Sequence, residues 1–201
     1  MVIRRTFAQR KVLELYKRIE EISYPIQPEK LLPYLPKSTK IMTYQQMAEI
    51  TGCSAKDIAI MCDSSSGATH LNVENNKCLI LYNASMNSGR SLWTQCHEIA
   101  HICMNHLDFM EGSKIADMGG VEPYNQFEIE ADYFAWNLIA PLPIMREMGI
   151  TTIAEIKDVF GMSKQAAALQ FDRYSKWCHN HIKTAWENNM LREFRSKYRG
   201  S

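Results

Sequence analysis

Ser91-Leu92-Trp93-Thr94-Gln95-Cys96-His97-Glu98-Ile99-Ala100-His101-Ile102-Cys103-Met104-Asn105-His106-Leu107 is the stretch on which the reading of this chain turns. Its apolar residues fall at Leu92, Cys96, Ile99, Ala100, Cys103 and Leu107, a sustained helical stripe that predicts a helix packed in the core. His97 and His101 stand four apart, about 40° around that helix at about 100° per residue, so both imidazoles can reach one zinc ion. Glu98 sits beside that face, where it can take a proton from a water the ion has acidified and pass it to a leaving amine. His97-Glu98-Ile99-Ala100-His101 is thus H-E-x-x-H in the context that metal-dependent peptide hydrolysis needs.

Such a site needs one more protein ligand and an open fourth position. Candidates lie on the next helix, predicted from Gln126 to Ala140, with Phe127, Ala131, Phe134, Ala135 and Leu138 inward and Pro141-Leu142-Pro143 as its stop. Within it Glu128 and Asp132 share a face, whereas Glu130 points about 200° away from Glu128. Glu128 is therefore the expected third ligand, with Asp132 accepting the second ring N–H of His97 or His101, and Glu130 is the alternative. His106 follows His101 by five residues with no glycine between, off the metzincin spacing, and reads as a helix C-terminal residue outside the ligand set. Between the two helices, Met110 to Gln126 contains Gly112, Gly119, Gly120 and Pro123 and no periodicity, so an irregular loop that narrows the cleft is expected. His70, Tyr124 and Tyr133 are the candidate electrophiles for the oxyanion, each with packing as the blander account.

Upstream, Ala68–Glu74 and Lys77–Tyr82 read as a β-hairpin turned at Asn75-Asn76, and Cys78-Leu79-Ile80-Leu81-Tyr82 as the better buried strand. That strand before the active helix is a candidate partner for an extended substrate segment. Thr43–Ile50 and Ser54–Met61 form a helix-turn-helix-like pair, but with Lys56 as the single basic residue of the second helix the role is structural. A first amphipathic helix runs from about Thr6 to Ile22, and Pro25, Pro28, Pro33 and Pro36 confine Tyr24–Lys37 to a connector with at most one short helix. Downstream, Thr152 and Glu155 box a helix that ends at Phe160-Gly161, and Ser163 caps another that runs to about Cys178. This second pair, with Arg173 and Lys176, carries the rival reading of a DNA- or regulator-binding protein with a structural metal, although Ala166–Leu169 suits packing better than base reading. Ile182–Ser201 is expected to be a charged helix that frays. Cys178-His179-Asn180-His181 lacks a partner motif and reads as surface, and Met118, Met145, Met148 and Met162 as core gap-fillers.

The 201 residues, 46% hydrophobic and 22% charged, fit one soluble domain, or one with a small appendage, and are enough for one real core. A net charge of +1 gives no support for nucleic acid or an anionic membrane as partner. No apolar run approaches the roughly 18 residues of a membrane span and no secretory signal is visible, so a cytoplasmic location is expected. Six cysteines without a Cys-x-x-Cys pair are expected to be reduced and mostly buried. The fold class is α+β and mainly helical, with a small β-hairpin beside the H-E-x-x-H helix. Residues 1–66 form a helical region with the proline-rich connector, 67–142 the catalytic core and 143–201 a C-terminal helical region.

Trp93 to His106, followed by Glu128-Ile129-Glu130-Ala131-Asp132-Tyr133-Phe134-Ala135 and on to Pro141, resembles the ImmA/IrrE family of zinc-metallopeptidase-like proteins. Ile80-Leu81-Tyr82-Asn83 is similar to the family's strand before the active helix, and Phe160 to Ala167 to its carboxy-terminal helix pair; Ala100 stands where many members have glycine. The resemblance covers roughly Leu31 to Tyr174 and implies a zincin-like fold. It also implies zinc on His97, His101 and the glutamate of the second motif, and catalysis by Glu98. Its further implication is an anti-repressor of a mobile element, phage or stress response, one that makes a site-specific cut in a helix-turn-helix transcriptional repressor. A degenerate scaffold is the third reading, disfavoured by the intact Glu98. Histidine and carboxylate ligands accept several divalent ions, so zinc is the expectation and availability decides.

Overall fold

A computed structural model describes residues 3–109, 121–180 and 182–198. Helix α1 (Arg5–Arg18) turns Ala8, Val12, Leu15 and Tyr16 inward, as its apolar spacing requires, and ends where Ile19 becomes extended. The connector holds the short helix α2 (Pro28–Leu31) and a 3-10 turn (Leu32–Tyr34). Strand β1 (Ser38–Thr43) follows and was not expected from the sequence. Ile41 and Met42 are its only aliphatic residues, too few for an alternating pattern, and the strand exists because β3 recruits it.

Strands β2 (Gly67–Asn72) and β3 (Lys77–Tyr82) are the expected hairpin, turned through Asn76 at φ 53. The sheet order is β1-β3-β2, with β1 parallel and β2 antiparallel to β3. The apolar run of β3 is thereby explained: it is the central strand, buried on both faces. Cys78 and Ile80 enter the main core, while Leu79 and Leu81 meet helices α3 (Tyr44–Thr51) and α4 (Ala55–Met61) on the other face. Capping boxes at Thr43/Gln46 and Ser54/Asp57 start these two helices, and Ala48 and Ile58 pack them on the sheet, the structural role expected. Paired on both sides, β3 cannot accept a substrate segment, which corrects the expectation for that strand; the edges are β1 and β2, of which β2 packs against the H-E-x-x-H helix.

Helix α5 (Ser88–Cys103) is capped by Asn87 and carries Cys96, Ile99 and Ala100 at the centre of the core. Gly67 lets β2 approach it closely, since a Cβ there would collide with Cγ2 of Thr94. A 3-10 turn (His106–Phe109) follows α5. Helix α6 (Val121–Ile139) packs along α5 and begins five residues before the expected start, so residues 121–125 are helix rather than loop; Pro123 is tolerated because it lies in the first turn. The rest of the expected loop, Met110 to Gly120, lies outside the described residues.

Past the Pro141 stop a new helix, α7 (Leu142–Glu147), forms at once with Pro143 in its first turn, a helix the sequence reading did not contain. Helices α8 (Ile153–Phe160) and α9 (Lys164–His179) have the expected caps at Thr152, Gly161 and Ser163. The tail is not the fraying helix expected: α10 (Ala185–Lys197) buries Met190 and Phe194, and Nε1 of Trp186 donates to the Gln9 carbonyl at 2.8 Å. One hydrophobic core thus draws residues from Ala8 to Phe194, and Met145 and Met162 are buried in it. All six cysteines are free thiols, with Cys78, Cys96 and Cys103 buried but Cys53 and Cys178 exposed, fewer buried than expected. No helix among the described residues is long and apolar enough to cross a membrane.

Candidate metal centre

Helices α5 and α6 lie side by side, and their facing turns carry the site. His97 and His101, one turn apart on α5, meet Glu128 in the first half of α6. Among the described residues this is the one group of three ligating side chains that could hold a metal ion, with donor atoms all within 4.8 Å of one another. Nε2 of His97 lies 3.1 Å from Oε2 of Glu128, Nε2 of His101 3.3 Å from Oε1 of Glu128, and the two Nε2 atoms 3.1 Å apart. Zinc bonds of about 2.0–2.1 Å at tetrahedral angles put neighbouring ligand atoms roughly 3.3 Å apart, so this donor set fits such an ion. Without the ion, burial lowers the basicity of His97, but the Asp132 and Glu128 carboxylates outweigh it and push its pKa up to about 10. Burial likewise opposes the charge on Glu128, yet the two imidazoles hold its carboxyl well below the usual range.

Each histidine is oriented through its second nitrogen. Nδ1 of His97 lies 2.9 Å from Oδ1 of Asp132, the contact expected from the helix spacing. Nδ1 of His101 lies 3.1 Å from Nδ1 of His106, whose Nε2 lies 3.3 Å from Oε2 of Glu130. With Nε2 of His101 turned to the metal position, its Nδ1–H donates to His106, and His106 in turn donates from Nε2 to Glu130. Burial, and then the neighbouring His101, lower the pKa of His106 to about 3, so it is neutral, as this chain of bonds requires. The main-chain N–H, Nε and Nη2 of Arg4 all donate to Glu130, the shortest bond measuring 2.7 Å, and Gln126 adds another at 2.7 Å. Burial would raise the pKa of Glu130, but these donors bring it down to about 2.

Glu130 is therefore outside the ligand cluster, turned to the back of His101, in the direction its helix angle gave. His106 is fully buried and belongs to the centre's support, a role the sequence reading missed. Its position after H-E-x-x-H was the available signal. Arg4, some 126 residues from Glu130, offered none.

Glu98 turns from the histidine face toward the sheet, where Oγ1 of Thr69 donates to its Oε2 at 2.7 Å. It is buried, and it lies outside the three-residue cluster. His70, next along β2, sits on the opposite face of the strand, with Nε2 3.5 Å from Sγ of Cys62, away from the cluster. The Tyr133 ring faces the guanidinium groups of Arg5 and Arg173, and the Tyr124 side chain lies outside the described residues. Cys178 and His179 are exposed at the end of α9 and join no metal cluster among the described residues; His181 is outside them.

Residues 53–171, more than half of the chain, match the family model Peptidase_M78, described as the IrrE N-terminal-like domain. The match holds His97, Glu98, His101, His106, Glu128 and Glu130 but not Arg4. A comparison with curated proteins gives no match.

Proposed function

Because this chain belongs to the ImmA/IrrE family, a metallopeptidase family, we propose that it is a zinc-dependent peptidase that makes a site-specific cut in a protein substrate. The observation that carries the reading is Glu98, a buried carboxylate beside the ligand cluster that is not one of its ligands and is steadied by Thr69. When bound, a divalent ion supplies Lewis-acid polarisation of the scissile carbonyl and acidifies a water. Glu98 then accepts a proton from the attacking water and returns it to the leaving amine, while His97, His101 and Glu128 supply the donor atoms and Asp132 and His106 fix the two rings.

The free edge of β2 supports an extended substrate. The Asn83 N–H donates to the Ser66 carbonyl at 2.8 Å, so by register the amide groups of Thr69 and Leu71 face away from β3, toward the open edge. Thr69 thus combines an outward-facing backbone with the side-chain bond to Glu98, so a substrate paired along this edge would run beside the proposed base.

The substrate proposed is a helix-turn-helix transcriptional repressor, and the setting the cytoplasm of a cell carrying a mobile element or phage; the family resemblance supports this, with no direct nucleic-acid contact. Against the DNA-reading alternative stands α9 itself. Ala167 is buried in the core with Ala166 packed against it, so this part of the helix is turned inward, and Lys176 is paired with Asp172. The test is to incubate the zinc-loaded protein with the helix-turn-helix proteins encoded beside it and to map fragments by mass spectrometry. One defined cut that disappears with a chelator is the result expected. Intact repressor together with full relief of repression would favour direct binding instead.

A further inference from the structure

One turn along the α5–α6 seam from the metal cluster lies a group of side chains that the chemistry above does not use. Trp93 precedes His97 by one turn on α5, and Trp136 follows Asp132 by one turn on α6; their rings pack with centroids 4.5 Å apart. The Arg173 guanidinium, from α9, lies 5.0 Å from the Trp136 ring and 5.8 Å from that of Tyr133. Arg5, at the start of α1, lies 5.8 Å from the same Tyr133 ring and is exposed. Two cations therefore flank one aromatic surface. Among the described residues neither forms a side-chain hydrogen bond or an ion pair. Asp132, the nearest acid on α6, gives Oδ1 to His97 instead, and its side chain is 51% exposed, so this end of the seam is open to solvent.

A guanidinium stacked on a ring spends its face and keeps the N–H donors along its edge, a fork that matches a carboxylate. Arg173 is half-buried, and desolvation, helped by the neighbouring Arg5, lowers its pKa although Tyr133 and Asp132 act the other way. At about 1.5 Å per residue Trp93 lies about 6 Å along its helix from His97 and Trp136 about 12 Å from Glu128, and an extended peptide advances about 3.3–3.6 Å per residue, so this surface is within about four residues of a bond held at the cluster.

We infer that Arg173, stacked on Trp136 and seconded by Arg5, is a specificity subsite that receives an aspartate or glutamate side chain of the peptide substrate, within about four residues of the cleaved bond. The inference rests on the peptidase reading for the identity of its ligand, but its binding test does not require cleavage.

The test uses zinc-loaded protein carrying Glu98→Gln, so that peptide is bound and not turned over. The probes are two blocked octapeptide pools that differ only in carrying one Glu or one Gln at a scanned position, read by quenching of tryptophan fluorescence. A third pool with no acidic side chain and a free C-terminus separates a side-chain carboxylate from a terminal one. The Glu pool should bind about tenfold more tightly than the Gln pool, as a charge-assisted bond to guanidinium would give. That preference should vanish in Arg173→Gln, and Arg173→Glu should favour a Lys pool; melting curves of both variants report whether α9 is still docked. Arg173→Lys, which keeps the charge and loses the planar stack, should retain part of the preference.

Equal binding of the Glu and Gln pools would overturn the inference and leave Arg173 as a clamp between α9 and α6. So would tighter binding of the free C-terminus pool than of the Glu pool, or binding of an oligothymidylate with none of the Glu pool. Cleavage of the same pools by the wild-type protein is scored separately: cutting without acid preference keeps the peptidase and removes the subsite. Acid preference without cutting keeps the subsite and removes the peptidase.

Discussion

His97 and His101 hold equivalent places in one motif, yet the protein supports them in opposite ways. His97 leans on a single carboxylate, Asp132, half in water and on the same face of α6 as Glu128. His101 leans on a buried relay, His106 to Glu130 to Arg4, that crosses from the end of α5 to α6 and on to the chain's amino-terminal helix. One flank is open, short and local; the other is buried as far as Glu130, long and assembled from three parts of the sequence. Buried polar chains are worth most when every member is satisfied and cost most when one is removed, so the two flanks should fail differently.

The largest effect separates ligands from supports. His97→Ala, His101→Ala or Glu128→Ala should drop metal content from about one zinc per chain to near zero, measured by elemental analysis after dialysis. Glu130→Ala should keep the stoichiometry and weaken affinity only. The reverse order for the two glutamates would overturn the assignment of Glu128. Loss of metal should also lower the melting temperature, because the ion ties α5 to α6 only in the folded state.

Next comes the contrast between flanks. His106→Ala leaves the buried Nδ1–H of His101 without its acceptor, takes one donor from Glu130 and opens a cavity, and should cost about 2–4 kcal/mol in denaturant unfolding together with a 10–100-fold loss of zinc affinity. Asp132→Asn should weaken zinc binding about tenfold while leaving stability within about 0.5 kcal/mol. Equal stability losses in the two variants would abolish the distinction between them.

A smaller effect reaches the centre from the amino terminus. Arg4→Ala should destabilise the metal-free protein by about 2 kcal/mol at pH 7, less than a fully buried partner would cost because Arg4 is 37% exposed. The sign with pH follows from Glu130, whose carboxyl is held at about 2 against an ordinary 4.5. Stability from a depressed carboxyl is complete above its unfolded value and is lost as pH falls from about 4.5 toward 2. The gap between wild type and Arg4→Ala should accordingly shrink across that window, and a gap that stays constant down to pH 2.5 would contradict the Arg4–Glu130 contribution.

The same contrast explains what could be read from the sequence. The open flank was legible: i,i+4 spacing on two helices is enough to bring His97, His101, Glu128 and Asp132 together, because a helix fixes faces without reference to the rest of the fold. The buried flank was not. Arg4 meets Glu130 only through the docking of α1 on α6, and His106 turns inward through a short 3-10 turn whose direction no periodicity encodes. β1 escaped for the same reason, since a strand with two aliphatic residues is made by its partner rather than by its own pattern. The Trp186 bond to Gln9, likewise set by tertiary contact, turned an apparently charged tail into a packed helix.

The proposed function divides the labour within the motif: two histidines and Glu128 would bind the metal and Glu98 would transfer protons. Glu98→Gln keeps the size of the side chain and removes the base, so metal content and cleavage of a protein substrate measured on the same preparation test that division most directly. Zinc should remain at wild-type stoichiometry while cleavage falls by at least about 10²–10⁴. Loss of the metal together with activity would make Glu98 a ligand, and cleavage at an undiminished rate would remove it from the chemistry.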